Sequence, residues 1–574
     1  MGSAFNIGRS ALAASQLGVQ VASNNLANAA TPGYARQVLG LEPVAGGNNG
    51  LGTGRGVQFT GVRRQVDEAL NARLNGAISS AASAAETQRI YGSIEIALNE
   101  LTNLDLSSEL GAFFTSFSEL ANGTQSQSQV IEQGELLAGF MRRLRGDLVD
   151  QRNQLDDRLG ALVEQADAIA SEIAGLNAEI TRTESGGTQN NPLRDRRDEL
   201  VRELSKLVDV STVEQASGAI DVLVGSAPVV LGARSQGIEL REIPSGDRIE
   251  RRVAITATGQ ALDAQAGEIG GVLSARDGEL DGMIESLDQL AGSLIYEINR
   301  LHSTGTTAEG LTSASSTLVV APADQTAALN SPLNASVTGL PVAPTNGGFL
   351  VRTVDEASGA VSTTRVDIDL DGIDATGAAG FGDDTSLADI AASIDAIAGL
   401  SATVGGDGRL TITAGAGTSF SFGDDSSGVL ASLGINSYFA GSDAGDIAVR
   451  EDLRGSPALL MTGRYVDGAF VENATSLEIA GLQDNAVDTL GGESASGFWR
   501  SEVQTFSVRA GAAQTQAEAT AIVRDGLESE RLALSGVDTD EEALALIQFQ
   551  RQYQGAARII STTNELLDEL LALA

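Results

Sequence analysis

"LAASQLGVQVASNNLANAATPGYARQ" runs from Leu12 to Gln37, close to the start of a chain of 574 residues. From Phe5 onward, small and apolar residues recur at alternating steps of three and four: Phe5, Gly8, Leu12, Ser15, Val19, Ala22, Leu26, Ala29. That spacing is a heptad stripe and predicts a helix that packs through one seam. Pro32 disfavours helical geometry at Thr31, and Pro-Gly suits the second and third places of a type II turn, so the helix is predicted to stop at about Ala30. Asn24, Asn25 and Asn28 are poor helix formers crowded into one and a half turns. One reading is a polar face followed by a turn. The reading favoured from sequence is that these amides bridge subunits beside the Ala22–Leu26–Ala29 seam.

A matching seam closes the chain: Leu546, Phe549, Tyr553, Ala556, Ile560, Thr563, Leu567, Leu570, Ala574. The expected assembly interface therefore comprises Leu12, Val19, Ala22, Asn25, Leu26 and Asn28 at one end, with Leu546, Phe549, Tyr553, Ala556, Ile560, Leu567 and Leu570 at the other. Helices with a single seam rich in Ala, Gly and Ser bury little within one molecule, so both ends are expected to be marginal until copies meet.

Between the ends lies a long heptad run from Leu137 to Ile180; its 44 positions would span roughly 66 Å as a helix. "SGGTQNNP" (Ser185–Pro192) breaks it and "LRDRRDELVRELSKLVDV" resumes it. Short β-branched runs between glycines, such as "AIDVLVG", then read as strands. The expected organisation is a core helix and loop (1–60), a long-helix domain (61–207), a small β-rich insertion (208–268), a returning helix (269–305), one or two β-rich domains (306–500) and carboxy-terminal helices (501–574). The fold class is multidomain α+β: a long coiled-coil base built from both terminal regions, with inserted β-rich outer domains.

Composition narrows the function. Acidic side chains number 76 against 37 basic ones, and Lys206 is the sole lysine. Nucleic acid and anionic membranes need a basic footprint, so neither is an expected partner. No cysteine occurs, which removes disulfides, thiolate ligands and cysteine nucleophiles. No apolar run reaches the ~18 residues of a membrane span, and the first thirty residues lack the pattern of a cleaved signal peptide.

The local patterns that suggest chemistry have simpler readings. "GLGTGRG" (Gly50–Gly56) is followed by strand-like "VQFTGV" and not by the helix a dinucleotide site requires. "DIDLDG" (Asp367–Gly372) begins like a calcium loop, but the twelfth position is Ala378 where a bidentate Glu should stand. The alternation Val366, Ile368, Leu370 reads instead as an edge strand with solvated carboxylates. His302, the only histidine, reads as a helix-end residue near terminal carbonyls. Glu541–Glu542 and Asp383–Asp384 could suggest a glycosidase pair; at 541–542 the helix dipole, with Asp538 or Thr539 as cap, explains them better. No catalytic, cofactor or metal residue is assigned.

The opening stretch, together with "SGVDTDEEALALIQFQRQYQGAARIISTTNELLDELLALA" (Ser535–Ala574), resembles the paired terminal signatures of bacterial flagellar rod, hook and hook-associated proteins. "RDELVRELSKLVDV" (Arg197–Val210) and the segment Gly270–Gly305 are similar to junction members of that family. The resemblance implies a structural, non-enzymatic protein at the hook–filament junction, secreted by the flagellar type III apparatus to the cell exterior. It also implies a homo-oligomeric ring, contacts with hook protein and with the second junction protein (hook-associated protein 3), an export chaperone on the last helix, and no cofactor. The alternatives are another axial protein of hook or rod type, or a secreted enzyme acting on the cell wall.

Overall fold

The computed structural model describes residues 2–45, 54–98, 105–245 and 248–572. The glycine-rich stretch at Gly50–Gly56 falls largely outside them, as do Ala574 and the side chain of Leu570. The chain is α+β, with long terminal helices and a β-rich middle. It forms two compact units: Met1–Tyr91 with Gln154–Arg276 and Ala510–Ala574, and Gly92–Asn153 with Asp277–Arg509.

In the first unit the amino-terminal helix, Gly2–Ala27, leads through a turn into an antiparallel hairpin, Gln37–Pro43 with Val57–Arg64. The turn is the one foreseen from Pro-Gly: Tyr34 N–H donates to the Thr31 carbonyl at 3.2 Å, and Gly33 has φ +78°, a conformation for which glycine is suited. The long helix, Gln127–Glu184, contributes its second part here. Beyond it a break at 185–190 leads to the helix Asn191–Leu207, which opens with proline in its first turn. Buried charge closes that break: Arg194 pairs with Glu184 and Glu214 at 2.8 and 2.9 Å. The Arg194 hydrogen bonds hold the Glu184 carboxyl below its ordinary range.

A sheet follows in chain order: Ser211–Glu214, Ile220–Val224, Ala227–Leu231 and Arg234–Ser235. Ile220, Val222 and Val224 turn inward in strict alternation. Asn177 of the long helix, fully buried, donates to the carbonyls of Ile220 and Gly232 at 2.7 Å and accepts from Ile220 N–H at 3.1 Å, so its amide satisfies backbone groups that burial would otherwise leave unpaired.

The second unit holds an extensive apolar core. Gly347–Asp355 lies between Val361–Ile368 and Thr418–Gly423, and Leu410–Ala414 lies between Leu400–Val404 and Ser313–Ser315. Val361–Ile368 is an edge strand, with Val366 and Ile368 buried. The helix Leu387–Asp395 starts on a capping box, Ser386 with Asp389, and lays Leu387, Ile390 and Ile394 into a core that includes Phe349, Val351, Ile412 and Phe420.

His302 lies deeper than the sequence suggests. At the end of the returning helix, Asp281–Ser303, it is fully buried and serves as a junction between segments. Met461 N–H donates to Nε2 at 3.1 Å, which leaves Nδ1 to donate to the Asn436 carbonyl at 2.7 Å. Burial drives its pKa down to about 4, and Tyr438 packs edge-on against it. The helix-end cap expected from sequence is thus replaced by a neutral imidazole stitching three chain segments. The helix stops where a polar ring meets a packed wall, which local sequence does not reveal.

Candidate functional site

The terminal helices meet in one molecule. The last helix, Thr539–Ala572, packs along Gly2–Ala27. Its ring Phe549 nests on the bare backbone of Gly18, where an added Cβ would stand 2.5 Å from the ring, and Ile560 approaches Gly8 to within 3.0 Å of the same position. Ala556 and Thr563 are buried between them. These helices therefore have a partner before any second copy arrives, contrary to the expectation of unpaired ends.

The register differs from the predicted stripe. Burial follows a second heptad, Gly8, Ala11, Ser15, Gly18, Ala22 and Asn25, of which all but Ala11 are buried, and Gly8 and Gly18 of this row meet the last helix. At alternate positions it is displaced by one residue from the stripe through Leu12, Val19 and Leu26. Leu12 and Val19 are half-buried, and Leu26 is 42% exposed. The cause is steric: a seam of glycine, alanine and serine lets the Phe549 ring approach the backbone, while branched residues in the same places would hold the helices apart.

The carboxy-terminal seam divides likewise. Phe549, Ala556 and Ile560 belong to the contact, Leu546 is half-buried, and Tyr553 and Leu567 are exposed. On another flank of this helix Leu544, Ile547 and Leu566 stand exposed, Leu544 at 62%, while Ile559 is part exposed and part packed against Gly8.

The asparagines turn inward to their own chain. Asn25, 1% exposed, donates through Nδ2 to the Gln37 carbonyl at 2.9 Å and accepts through Oδ1 from Gln37 N–H at 3.0 Å and from the Tyr34 hydroxyl at 2.8 Å. Asn24 donates to the Tyr34 oxygen at 3.2 Å, and Asn28 donates back to the Asn24 carbonyl at 2.9 Å. Burial pushes the Tyr34 hydroxyl up to about 12, keeping it a donor. Within the chain these amides form a lock that fixes the Thr-Pro-Gly-Tyr turn. The reason is geometric: an amide mimics a backbone peptide and can pair with Gln37 as a strand neighbour would.

Arg36, one residue further, fastens the turn to the end of the chain. Its N–H donates to the Ser535 carbonyl at 2.8 Å, and its guanidinium pairs with Glu541 at 2.8 Å and Glu542 at 2.7 Å. The acidic pair that could have suggested hydrolysis is therefore an arginine clamp, placed at a helix start capped by Asp538. Tyr34, Arg36 and Gly18 were missed as functional residues. The signal was present in the small-residue heptad, which a search for large apolar residues passes over.

Three family models match the chain. The flagellar hook-associated protein FlgK helical domain covers residues 91–315, the flagella basal body rod protein model covers 5–34, and the C-terminal model of the flagellar basal body rod FlgEFG proteins covers 528–573. Flagellar hook-associated protein 1 of Escherichia coli (strain K12) is 25% identical over 599 residues, with all of both chains covered. Along its whole length the chain is similar to flagellar hook-associated protein 1. Others of that name similar to it are those of Salmonella typhimurium, 26% identical over the full length of both chains, and of Bacillus subtilis, 31% identical over 37% of this chain and 44% of that one. Among solved structures, the flagellar hook junction protein FlgK from Burkholderia pseudomallei aligns with 81% of this chain and 100% of its own, at 15% identity and TM-score 0.48. Nearly all of the helix pair lies inside the residues matched by the two rod-type models. No helix among the described residues is long and apolar enough to cross a membrane.

Proposed function

We infer that this protein is a structural component of the flagellum that joins hook to filament, and that it does so without catalysis. The observation that carries the reading is the divided surface of the terminal helices. A small-residue seam is used up within one chain, while Leu26, Leu544 and Leu566 remain exposed. Copies arranged side by side in a ring would cover those flanks, as would hook protein below and hook-associated protein 3 above. The chain reaches that place outside the cell by flagellar type III export, its last helix held beforehand by an export chaperone. The absence of cysteine suits a chain that is threaded unfolded. We assign the helical termini, residues 1–60 and 501–574, to the assembling base. Residues 61–207, 208–268, 269–305 and 306–500 are assigned to the successive bodies between them.

Gold-labelled antibody against residues 306–500, viewed by electron microscopy on intact flagella, tests the reading. Label confined to a narrow band where the hook ends is expected. Label along the hook or the rod would move the protein to another axial role, and label on the cell wall with none on flagella would revive the enzyme. Loss of the gene should leave hooks that shed filament subunits into the medium.

A further inference from the structure

The strand Val361–Ile368 leads into Asp369 and Asp371, and the chain then makes an excursion that returns at Asp384. The excursion closes on itself: Ile373 bridges Ala379, Thr385 N–H donates to the Asp369 carbonyl at 2.7 Å, and Asp369 N–H donates to the Thr385 hydroxyl at 2.9 Å. This closure brings one carboxylate oxygen of each of Asp369, Asp371 and Asp384 within 4.8 Å of the others. The first two are exposed; Asp384 is only 5% exposed.

Proximity of acids is common on so acidic a chain and means little alone. Asp384 supplies a separate observation. Its Oδ2 accepts from Asn330 Nδ2 at 2.6 Å and from Gly372 N–H at 3.2 Å, while its Oδ1, buried, has no hydrogen-bond partner. The side-chain oxygen of Asn330 is buried and unpartnered as well. Among the described residues no arginine or lysine pairs with Asp369, Asp371 or Asp384. A buried carboxylate costs several kcal/mol unless a cation faces it, and an orphaned oxygen beside it adds to that cost.

We propose that Asp369, Asp371 and Asp384, with the side-chain oxygen of Asn330, bind one calcium ion. The donors are oxygen only, which selects a hard cation over zinc or copper. Calcium accepts the irregular mixture of carboxylate, amide and water ligands offered here, whereas magnesium demands a near-ideal octahedron and keeps its waters. The twelfth-position ligand of a continuous calcium loop is missing at Ala378, and Asp384 takes its place from the far side of the excursion. Bound calcium pins residues 370–384 against Asn330, at the entrance to the helix Leu387–Asp395. With three carboxylates on a partly exposed loop, the affinity belongs with extracellular modules, at a Kd of about 0.1–1 mM.

The test uses the full chain, stripped with chelator and titrated with calcium in excess magnesium while heat and melting are followed. One saturable site and a rise in the melting transition are expected. Asp371→Asn should weaken binding by at least about tenfold, and Asp383→Asn, an exposed neighbour outside the cluster, should leave it unchanged. Asp384→Asn should abolish binding; if that variant does not fold, Asp371→Asn and Asp369→Asn decide. No calcium-dependent heat or melting shift at about 10 mM would overturn the site. So would equal losses in Asp371→Asn and Asp383→Asn, which would mark diffuse attraction to a polyanion.

Discussion

The β-rich core of the second unit and the helix pair of the first are built on opposite plans. In the core, Phe349, Val351, Ile390, Ile412 and Phe420 are all fully buried in one apolar cluster. In the helix pair the first helix offers its smallest side chains, Gly8 and Gly18, to Ile560 and Phe549 of the last, while Leu544 and Leu566 stay outside. A core that satisfies itself folds alone. A seam of glycine and alanine fixes geometry with modest energy, and leaves Leu544 and Leu566 exposed. The lesson is that on the first helix the small residues, not the large apolar ones, mark the surface used within the chain.

The largest expected effect breaks the core side of that contrast. Phe349→Ala removes a fully buried ring that packs edge-on against Phe422, and should cost about 3–5 kcal/mol of unfolding free energy in denaturant titration. It should not disturb the helix pair, which is followed separately by proteolysis of the chain ends.

Next comes the pH response of His302. Its folded pKa of about 4 lies below the ordinary 6.5, so the unfolded chain binds the extra proton between those values. Stability from this group is full above pH 6.5, falls as the pH drops toward 4, and is lost below that. The total approaches on the order of 3 kcal/mol. His302→Gln should flatten the slope between pH 6.5 and 4 relative to the parent, while the many carboxylates contribute equally to both. Parallel slopes in parent and variant would show that this imidazole is not the buried neutral group described above.

Smaller still, Gly18→Leu should force Phe549 off the backbone at a cost of about 1–3 kcal/mol and expose both ends to protease, sparing the β-rich core. At the bottom of the scale Arg551→Asp, on an exposed face, should change monomer stability by no more than about 0.5 kcal/mol.

Much of this was legible in the residues. The Thr-Pro-Gly-Tyr turn, the capping box at Ser386, the break after Glu184 and the helical ends all follow from local rules. What stayed hidden has a common cause. Leu12 outweighs Ala11, and Leu26 outweighs Asn25, on any scale of hydrophobicity, so the register of the first helix cannot be found by seeking greasy residues. Close packing prefers the small one. Asn25 and His302 depend on partners 12 and 134 residues away, Gln37 and Asn436, and Asp384 reaches its cluster through a reversal of the chain that no spacing rule encodes. The π-helical stretch Ala275–Leu280, ahead of the returning helix, likewise has no local signature.

The division between an internal seam and an external flank is tested most directly by Leu544→Asp combined with Leu566→Asp. Both side chains are exposed on the last helix, away from Phe549, Ala556 and Ile560. The purified variant should melt within about 0.5 kcal/mol per site of the parent and keep its ends protected, because no internal contact is touched. In cells it should be exported yet fail to seat a filament, with filament protein lost to the medium. Normal junctions and normal swimming in this variant, beside a Gly18→Leu variant that alone fails, would contradict the account and return the assembly surface to the small-residue seam.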